Sequence, residues 1–365
     1  MLASLMQDWS QSALAVTDWK KNVIAAGFGL FRATRLHRIA GDLLRGRGVI
    51  LTFHRVRPAP SDPFQPNALL EITPDFFDAV LTRLRETGLA IVSLDEALSR
   101  LVTGEGGPFA VLTFDDGYRD LIEHVLPALE RHEAPATFYL APGLADRTAR
   151  LWWVELEEAI RRLDVVELNV GGVEIGLLAT DVAEKAEAFE RLRLLLREAG
   201  EERLLGAVAA LAAEAGVDGR ALVEASCLDW DDVRELAAHD LVTIGAHSLT
   251  HPRLSALPVE VARAEIAGSR ARLEHELGLP CRHFAYPYGD VAAAGPREFT
   301  LAAEAGFASA VTTRPGMIFP DHARHLRALP RLSANGLWQD LAFLDVLLSG
   351  APFFLWNGGR RVNVG

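Results

Sequence analysis

Two apolar runs that end in metal-binding or proton-transferring residues most constrain what this chain can fold into. The run Phe-Ala-Val-Leu-Thr-Phe leads directly into Asp115 and Asp116, and the run Leu-Val-Thr-Ile-Gly-Ala leads into His247 and His251. Such runs are typical of buried strands, and in parallel barrels the reactive groups follow the strand ends. Two such strands would bring one carboxylate and two imidazole nitrogens around a single metal ion, with a second carboxylate free beside it. This combination is typical of metal-assisted hydrolysis.

The rest of the chain is consistent with a barrel. Strand-like and helix-like runs alternate from residue 48 onward, and roughly seven or eight such units favour a parallel α/β barrel over an open sheet. Residues from about 150 to 225 are instead rich in Ala, Leu, Glu and Arg with helical periodicity, which predicts an inserted helical subdomain. We therefore expect an N-terminal helical extension over residues 1–46, a barrel over 47–335 and an apolar tail over 336–365.

The composition limits the class of protein. A net charge of −12 argues against a nucleic-acid-binding protein, and two cysteines, Cys227 and Cys281, are too few for a disulfide framework. The N-terminus lacks the basic start and uninterrupted apolar stretch of a secretory signal. No window has the roughly 20 apolar residues of a membrane-spanning helix. These features predict a cytoplasmic protein.

One segment near the N-terminus leaves a second location open. Residues 19–45 are apolar and basic with almost no acidic side chain, although the chain as a whole is acidic. A segment of this kind can lie on an anionic membrane surface, which would place the protein peripherally at the inner face of the membrane. A helix packed against the barrel is the alternative. The sequence does not indicate an oligomeric state.

Three motifs in order resemble those of a known family. Asp-Asp-Gly alone is often a turn, and His-x-x-x-His alone can be a pair on a helix surface. Thr-Phe-Asp-Asp-Gly followed by His-Ser-x-x-His and Tyr-Pro-Tyr-Gly, however, resembles the polysaccharide deacetylase family, the NodB-homology domain of carbohydrate esterase family four. The resemblance covers roughly residues 48–335 apart from the insert. It implies a distorted (β/α)7 barrel, a divalent metal ion and removal of N- or O-acetyl groups from sugars.

The resemblance implies roles for five residues of these motifs. Asp116, His247 and His251 would bind the ion through one oxygen and two nitrogens, leaving positions open for water and substrate. Asp115 would then be the general base for the attacking water. The backbone N–H of Tyr288 would stabilise the oxyanion. The expected ion is Zn²⁺, with Co²⁺, Ni²⁺ or Mn²⁺ as alternatives.

The general acid comes from a different part of the sequence. Family members usually carry this histidine near the C-terminal end in a Leu-x-x-His setting, and no such motif is clear here. The segment Leu-Thr-Phe-His-Arg-Val, which contains His54, resembles the Tyr-His-x-Val segment of circularly permuted members that make exported poly-N-acetylglucosamine. We therefore predict that His54 is the general acid, with His322 and His325 as competitors.

The third motif departs from the family pattern at one position. Many members have an arginine that orients the base two residues before the proline, and this chain has Ala285 there. We predict that Arg331, in the segment Leu-Pro-Arg, makes this contact instead, with Arg55 as the alternative. The departure concerns the tuning of the base and not the metal ligands.

Together these residues predict a metal-dependent hydrolase that removes N-acetyl groups from amino sugars of a polysaccharide or a lipid-linked glycan, as in a bacterial exopolysaccharide pathway. Trp152 and Trp153 are candidates for stacking on sugar rings, with core packing as the alternative for at least one of them. Three other functions stay open: a sugar O-acetyl esterase, an N-deformylase of a lipid-linked sugar, and a catalytically idle carbohydrate-binding barrel.

Overall fold

A closed parallel barrel forms the centre of the computed structural model, which describes residues 43–364. The strands of this range are β1 Gly48–Phe53, β2 Arg55–Val56, β3 Glu71–Ile72, β4 Ala90–Ile91, β5 Phe109–Phe114, β6 Ala136–Leu140, β7 Val165–Val170, β8 Val173–Leu178, β9 Val242–Ala246, β10 His283–Ala285, β11 Ser309–Pro315 and β12 Leu329–Ser333. The barrel order is β1, β12, β11, β10, β9, β6 and β5, and β5 pairs with β1 to close it. The predicted distorted (β/α)7 barrel is therefore confirmed.

Helices surround the barrel and build the insert. The complete α-helices of the described range are α1 Pro74–Glu86, α2 Leu94–Thr103, α3 Leu126–Arg131, α4 Pro142–Ala145, α5 Trp152–Arg162, α6 Val182–Ala199, α7 Glu201–Glu214, α8 Gly219–Ser226, α9 Trp230–Ala237, α10 Val259–Leu277, α11 Pro296–Glu304, α12 Leu341–Leu348 and α13 Ala351–Trp356. Helix α1 begins at Pro74 because Thr73 caps it by accepting a hydrogen bond from the N–H of Phe76 and Pro74 suits the first turn.

The pairing of β1 with β5 determines where the functional residues emerge. Every residue of both strands is buried, as expected for parallel strands covered on both faces. The register pairs Phe53 with Phe114, and their rings stack with centroids 5.1 Å apart. His54 and Asp115 directly follow these two strands and therefore lie side by side at the carboxyl end of the barrel.

The insert contains a β-hairpin in addition to the predicted helices. Strands β7 and β8 pair along their whole length, and the turn between them is Gly171-Gly172, with φ of 62° and 92°. Positive φ at both central residues defines the turn that joins such strands most readily. The hairpin packs with α5, α6 and α7 around an apolar cluster that includes Val166, Phe189 and Leu211. This cluster is separate from the barrel core.

The C-terminal tail packs against the barrel. Leu344, Val346 and Leu348 are buried in the barrel core, and Asp345 forms an ion pair with Arg83 of α1, with contacts of 2.6 and 2.7 Å. None of the described helices is long and apolar enough to cross a membrane. The predicted N-terminal helical extension lies outside the described residues, apart from its last four.

Candidate metal centre and catalytic site

The motifs after β5, β9 and β10 turn sharply as they leave the barrel. Asp116, Ser248, His251 and Tyr288 have φ of 72°, 58°, 64° and 60°, a left-handed conformation that side chains other than glycine adopt at a cost. Because the backbone turns at Asp116, the side chains of Asp115 and Asp116 point in different directions. Local strain is thus concentrated where the functional side chains are positioned.

Asp116, His247 and His251 converge on one point. The Oδ1 atom of Asp116 is 3.5 Å from Nε2 of His247 and 3.3 Å from Nε2 of His251. The Nδ1–H of His247 donates to the carbonyl of Ala285 at 2.8 Å, because a carbonyl can only accept. This bond fixes the tautomer that leaves the Nε2 lone pair facing Asp116, which is the arrangement found around metal-binding histidines.

This donor set fits a divalent metal ion. The three ligand atoms lie within 4.8 Å of one another, and all three side chains are buried. Bonds of about 2.0–2.1 Å in a tetrahedral arrangement place ligand atoms roughly 3.3–3.4 Å apart, close to the two distances from Asp116. Oδ1 of Asp116 is also buried without a hydrogen-bond partner among the described residues, as a metal-ligating oxygen would be.

The electrostatics of the cluster favour the forms that bind metals. Burial alone would raise the pKa of Asp116, but the imidazoles around it, that of His251 foremost, together outweigh burial and lower this pKa, so the carboxyl stays ionised. Burial lowers the pKa of His247 to about 4, so its imidazole is neutral at pH 7. Metal ions bind the carboxylate and the neutral imidazole.

Asp115 is held by a buried arginine. Nη1 of Arg331 donates to Oδ1 of Asp115 at 2.7 Å, and Nη2 donates to Oδ2 at 2.6 Å. Arg331 also donates to the hydroxyl of Thr113 and to the carbonyl of Thr312. Burial would raise the pKa of Asp115, but Arg331, by its charge and its hydrogen bonds, and the imidazoles of His247 and His54 together outweigh burial, so the pKa is lowered. Each carboxylate oxygen keeps a second lone pair for a water molecule.

The candidate acids and the second candidate arginine lie in different places. His54 is half-buried and lines the same cavity as Asp115 and Asp116. His322 is buried in a short 3₁₀ segment, where it accepts the N–H of Phe319, and neither it nor His325 lines this cavity. Arg55 donates to Asp120 at 2.8 Å and not to Asp115.

Tyr288 borders the metal cluster. Its ring centroid is 5.3 Å from that of His251, and its hydroxyl accepts a hydrogen bond from the indole of Trp152 at 3.0 Å. Its carbonyl accepts from the hydroxyl of Thr313 at 2.7 Å, which holds the turn in place. The ring of Trp153 is 5.0 Å from that of His251, so both tryptophans stand at the edge of the cluster.

The cavity over this cluster has a volume of about 220 Å³, and three groups of residues line it. The predicted catalytic and metal-binding side chains form its floor. Apolar side chains form one wall, namely Leu69, Leu70, Leu332, Leu347, Phe353 and Trp356. Arg193 and Arg197 from helix α6 of the insert, with Asp290, form another. The sequence patterns did not indicate these three charged residues, and the apolar tail gave no sign that it would border the cavity.

The structure is thus a parallel α/β barrel with a buried Asp-His-His cluster, a candidate metal site, at the carboxyl ends of its strands. In a comparison with known protein families, the family described as polysaccharide deacetylase matches residues 104–308 of this chain. The chain belongs to this family. The matched range includes the metal cluster, Asp115 and Tyr288, whereas His54 and Arg331 lie outside it.

Solved structures share the fold. A deacetylase of Streptococcus pyogenes, PplD, in complex with acetate has a TM-score of 0.55 and 18% identity, covering 82% of this chain and 96% of that one. IcaB from Ammonifex degensii has a TM-score of 0.53 and 19% identity, covering 84% and 97%. A de-N-acetylase from Aggregatibacter actinomycetemcomitans has a TM-score of 0.52 and 13% identity, covering 82% and 99%. No curated protein sequence matches the chain significantly.

Proposed function

We propose that this protein is a metal-dependent N-deacetylase of amino sugars in a polysaccharide or a lipid-linked glycan. The observation that carries the proposal is the convergence of Asp116, His247 and His251 within 4.8 Å, beside Asp115, which does not belong to the cluster. A site that only bound a carbohydrate would need neither a buried ligand set nor a second buried carboxylate held by an arginine.

Each nearby group then has a distinct task. A divalent ion held by Asp116, His247 and His251 would supply Lewis acidity toward the acetyl carbonyl and toward water. Asp115 accepts a proton from the water whose oxygen forms a bond to the acetyl carbon. Arg331 keeps Asp115 ionised and fixed in orientation, and so acts as a positioning residue.

The remaining steps concern the oxyanion and the leaving group. The backbone N–H of Tyr288 donates to the carbonyl oxygen as negative charge develops on it. His54 donates a proton to the amide nitrogen as the carbon–nitrogen bond breaks, since an amide nitrogen leaves poorly as an anion. The products are acetate and a free amino sugar, so that atoms and charge balance.

The apolar wall supports a substrate with an apolar portion. Leu347, Phe353 and Trp356 come from the C-terminal helices and face the same cavity as the catalytic residues. Aromatic and aliphatic surfaces of this kind pack against the C–H faces of sugars or against a lipid chain. Both the polysaccharide and the lipid-linked glycan therefore remain within the proposal.

The proposal is tested by acetate and amine release from N-acetylglucosamine oligomers after loading with Zn²⁺, Co²⁺, Ni²⁺ or Mn²⁺. We expect wild type to release both products in equal amounts and Asp115→Asn to lose at least about a hundredfold in rate. Asp164→Asn is the matched control, because Asp164 is exposed, belongs to the insert and does not line the cavity. Its rate should equal that of wild type.

Other products would identify the alternatives. Acetate without amine, from O-acetylated sugars only, would indicate an O-acetyl esterase, and formate would indicate an N-deformylase. A protein that binds no metal and releases neither product would be an idle carbohydrate-binding barrel and would contradict the proposal.

We also propose that the protein acts at the cytoplasmic side, near a membrane-associated intermediate. The basic and apolar composition of residues 19–45 supports this location. Deleting residues 1–46 should move the protein from the membrane fraction to the cytosolic fraction. Unchanged fractionation would contradict the location without affecting the proposed reaction.

A further inference from the structure

Two arginines of the insert face the cavity above the catalytic floor. Arg193 and Arg197 are four residues apart on α6, so they lie on the same face of this helix, and both line the cavity. The neighbouring Arg191 points elsewhere and is largely exposed. The insert therefore contributes two positive charges to the site, while the barrel contributes the catalytic groups.

Arg193 is a buried cation with donors to spare. Its side chain is only 2% exposed and is surrounded on α6 by the buried Phe189, Leu192 and Leu196. Its Nε and Nη2 atoms donate to Glu190 at 3.2 and 2.8 Å. Nη1 has no hydrogen-bond partner among the described residues. A guanidinium has five N–H donors, so one edge of Arg193 stays available to a ligand.

Arg197 links the insert to the metal cluster. Its Nη2 contacts Asp290 at 3.3 Å, a single long contact, and its guanidinium lies 4.8 Å from the ring centroid of Tyr288. The same ring is 5.3 Å from that of His251. One aromatic ring therefore separates Arg197 from a predicted metal ligand, and a sugar at the cluster would lie within reach of this guanidinium.

The acidic groups of the cavity are already partnered. Asp115 is paired with Arg331, and Asp116 faces two imidazoles and is a predicted metal ligand. Oδ1 of Asp290 accepts the N–H groups of residues 292 and 293, which leaves Oδ2 for Arg197. The two insert arginines thus bring cationic donors to a cavity that also has an apolar wall, and charge-assisted hydrogen bonds are stronger than neutral ones.

We propose that Arg193 and Arg197 form an anion subsite that binds a phosphate group attached to the amino sugar substrate. This inference rests on the proposed deacetylase function and narrows its substrate to a sugar that carries an oxyanion. Phosphate fits because its oxygens accept the parallel N–H bonds of a guanidinium edge and spread their charge over two arginines. The apolar wall of the same cavity could contact a further group that the phosphate links to the sugar.

The test measures binding without turnover. Metal-loaded Asp115→Asn protein is titrated with methyl N-acetylglucosaminide, N-acetylglucosamine 1-phosphate and N-acetylglucosamine 6-phosphate, and each Kd is measured calorimetrically. We expect one phosphorylated sugar to bind at least about tenfold more tightly than the neutral sugar, equivalent to about 1.4 kcal/mol. Adding Arg197→Gln should abolish most of this preference, and adding Arg191→Gln should not.

Arg191 is the matched control because it lies on the same helix, is 62% exposed and approaches only Glu187, at 3.7 Å. Melting temperatures verify folding, and Arg197→Lys serves as a second variant. It keeps the charge and loses the paired N–H geometry, so it should retain only part of the preference.

Two results would overturn the anion subsite: equal Kd values for all three sugars, or a phosphate preference that survives Arg197→Gln in full, since Arg197 would then not bind the phosphate. Acetate release by wild type separates this failure from that of the proposed function. Release without a phosphate preference removes only the subsite. The absence of release from every sugar removes the deacetylase function.

Discussion

Replacing Arg331 with methionine should destabilise the protein strongly, because it leaves Asp115 buried without its partner. Asp115 is 1% exposed, and Arg331 makes two contacts to it, of 2.7 and 2.6 Å. Removing one member of a buried pair costs about 3–5 kcal/mol. The cost at pH 7 also has an upper limit, because the unpaired Asp115 can take up a proton instead of staying charged. Raising its pKa from 3.8 to 7 corresponds to roughly 4 kcal/mol.

The sign of the pH dependence follows from the pKa directions. In wild type the lowered pKa of Asp115 adds stability above pH 3.8 that is lost only as the pH falls through the folded-state value. In Arg331→Met the main effect that lowers this pKa is lost, so burial raises the pKa and the unfavourable contribution to stability grows with pH. The difference between the two proteins should therefore be larger at pH 7 than at pH 5.

The assay is urea unfolding of chelator-treated protein, followed by tryptophan fluorescence, so that metal binding adds no stability. We compare wild type, Arg331→Met, Asp115→Asn and the double variant. The double variant should lose at least about 2 kcal/mol less than the two single losses combined, because neither charge is left alone. Arg191→Met, at an exposed position, should change stability by no more than about 0.5 kcal/mol.

A loss below about 1 kcal/mol for Arg331→Met would refute the reasoning, and so would strictly additive losses in the double variant. Either result would mean that Asp115 is not held as a buried ion pair. The proposed task of Arg331 as a positioning residue would then have no basis.

Three further predictions concern histidines and the metal. His247→Ala should lose both bound metal and turnover, whereas Asp115→Asn should keep the metal, as measured by plasma mass spectrometry; equal metal content in the two variants would contradict the ligand assignment. His54→Ala should slow hydrolysis of the N-acetyl sugar by about a hundredfold or more but affect 4-nitrophenyl acetate far less, since a phenolate leaves without a proton; equal losses on both would exclude His54 as the acid. His322→Asn should keep kcat/KM. Burial lowers the pKa of His322 to about 4, so between pH 6.5 and about 4 the unfolded wild-type chain binds a proton that the folded protein does not, and wild type loses stability. The variant should lose less stability over this pH range. The expected gain is about 3 kcal/mol by urea unfolding at pH 4, and an unchanged pH profile would contradict it.

Motifs at strand ends were the most predictable part of the structure. Apolar runs before Asp115 and His247 indicate buried strands, and parallel strands deliver the residues that follow them to one end of a barrel. The carboxylates and imidazoles consequently lie in one cavity, as the spacing suggested. Local sequence determines such placements, since each strand and the residue after it are contiguous.

Contacts between distant segments were only partly predictable. Arg331 was the predicted partner of Asp115 with Arg55 as the alternative, and the structure places Arg331 against Asp115 and pairs Arg55 with Asp120. The choice depends on which strands are neighbours: β12 and β5 both pair with β1, a fact that barrel closure decides and no local pattern records.

Other features have no signal that stands out in one sequence. Arg193 and Arg197 sit in a helix rich in charged residues, where arginines are usually solvated. The β7–β8 hairpin does carry a signal, since Gly171-Gly172 separates two runs rich in Val, but the composition of residues 150–225 as a whole favours helix. Trp356 belongs to a tail whose apolar residues indicate burial but not the cavity they border.

Anomalous diffraction at the zinc absorption edge, on crystals of zinc-loaded protein that releases acetate, tests the central assignment most directly. The account predicts one strong peak about 2.0–2.2 Å from a carboxylate oxygen of Asp116 and from Nε2 of both His247 and His251. An active protein whose only anomalous peak lies elsewhere, or that shows none between these three side chains, would contradict it.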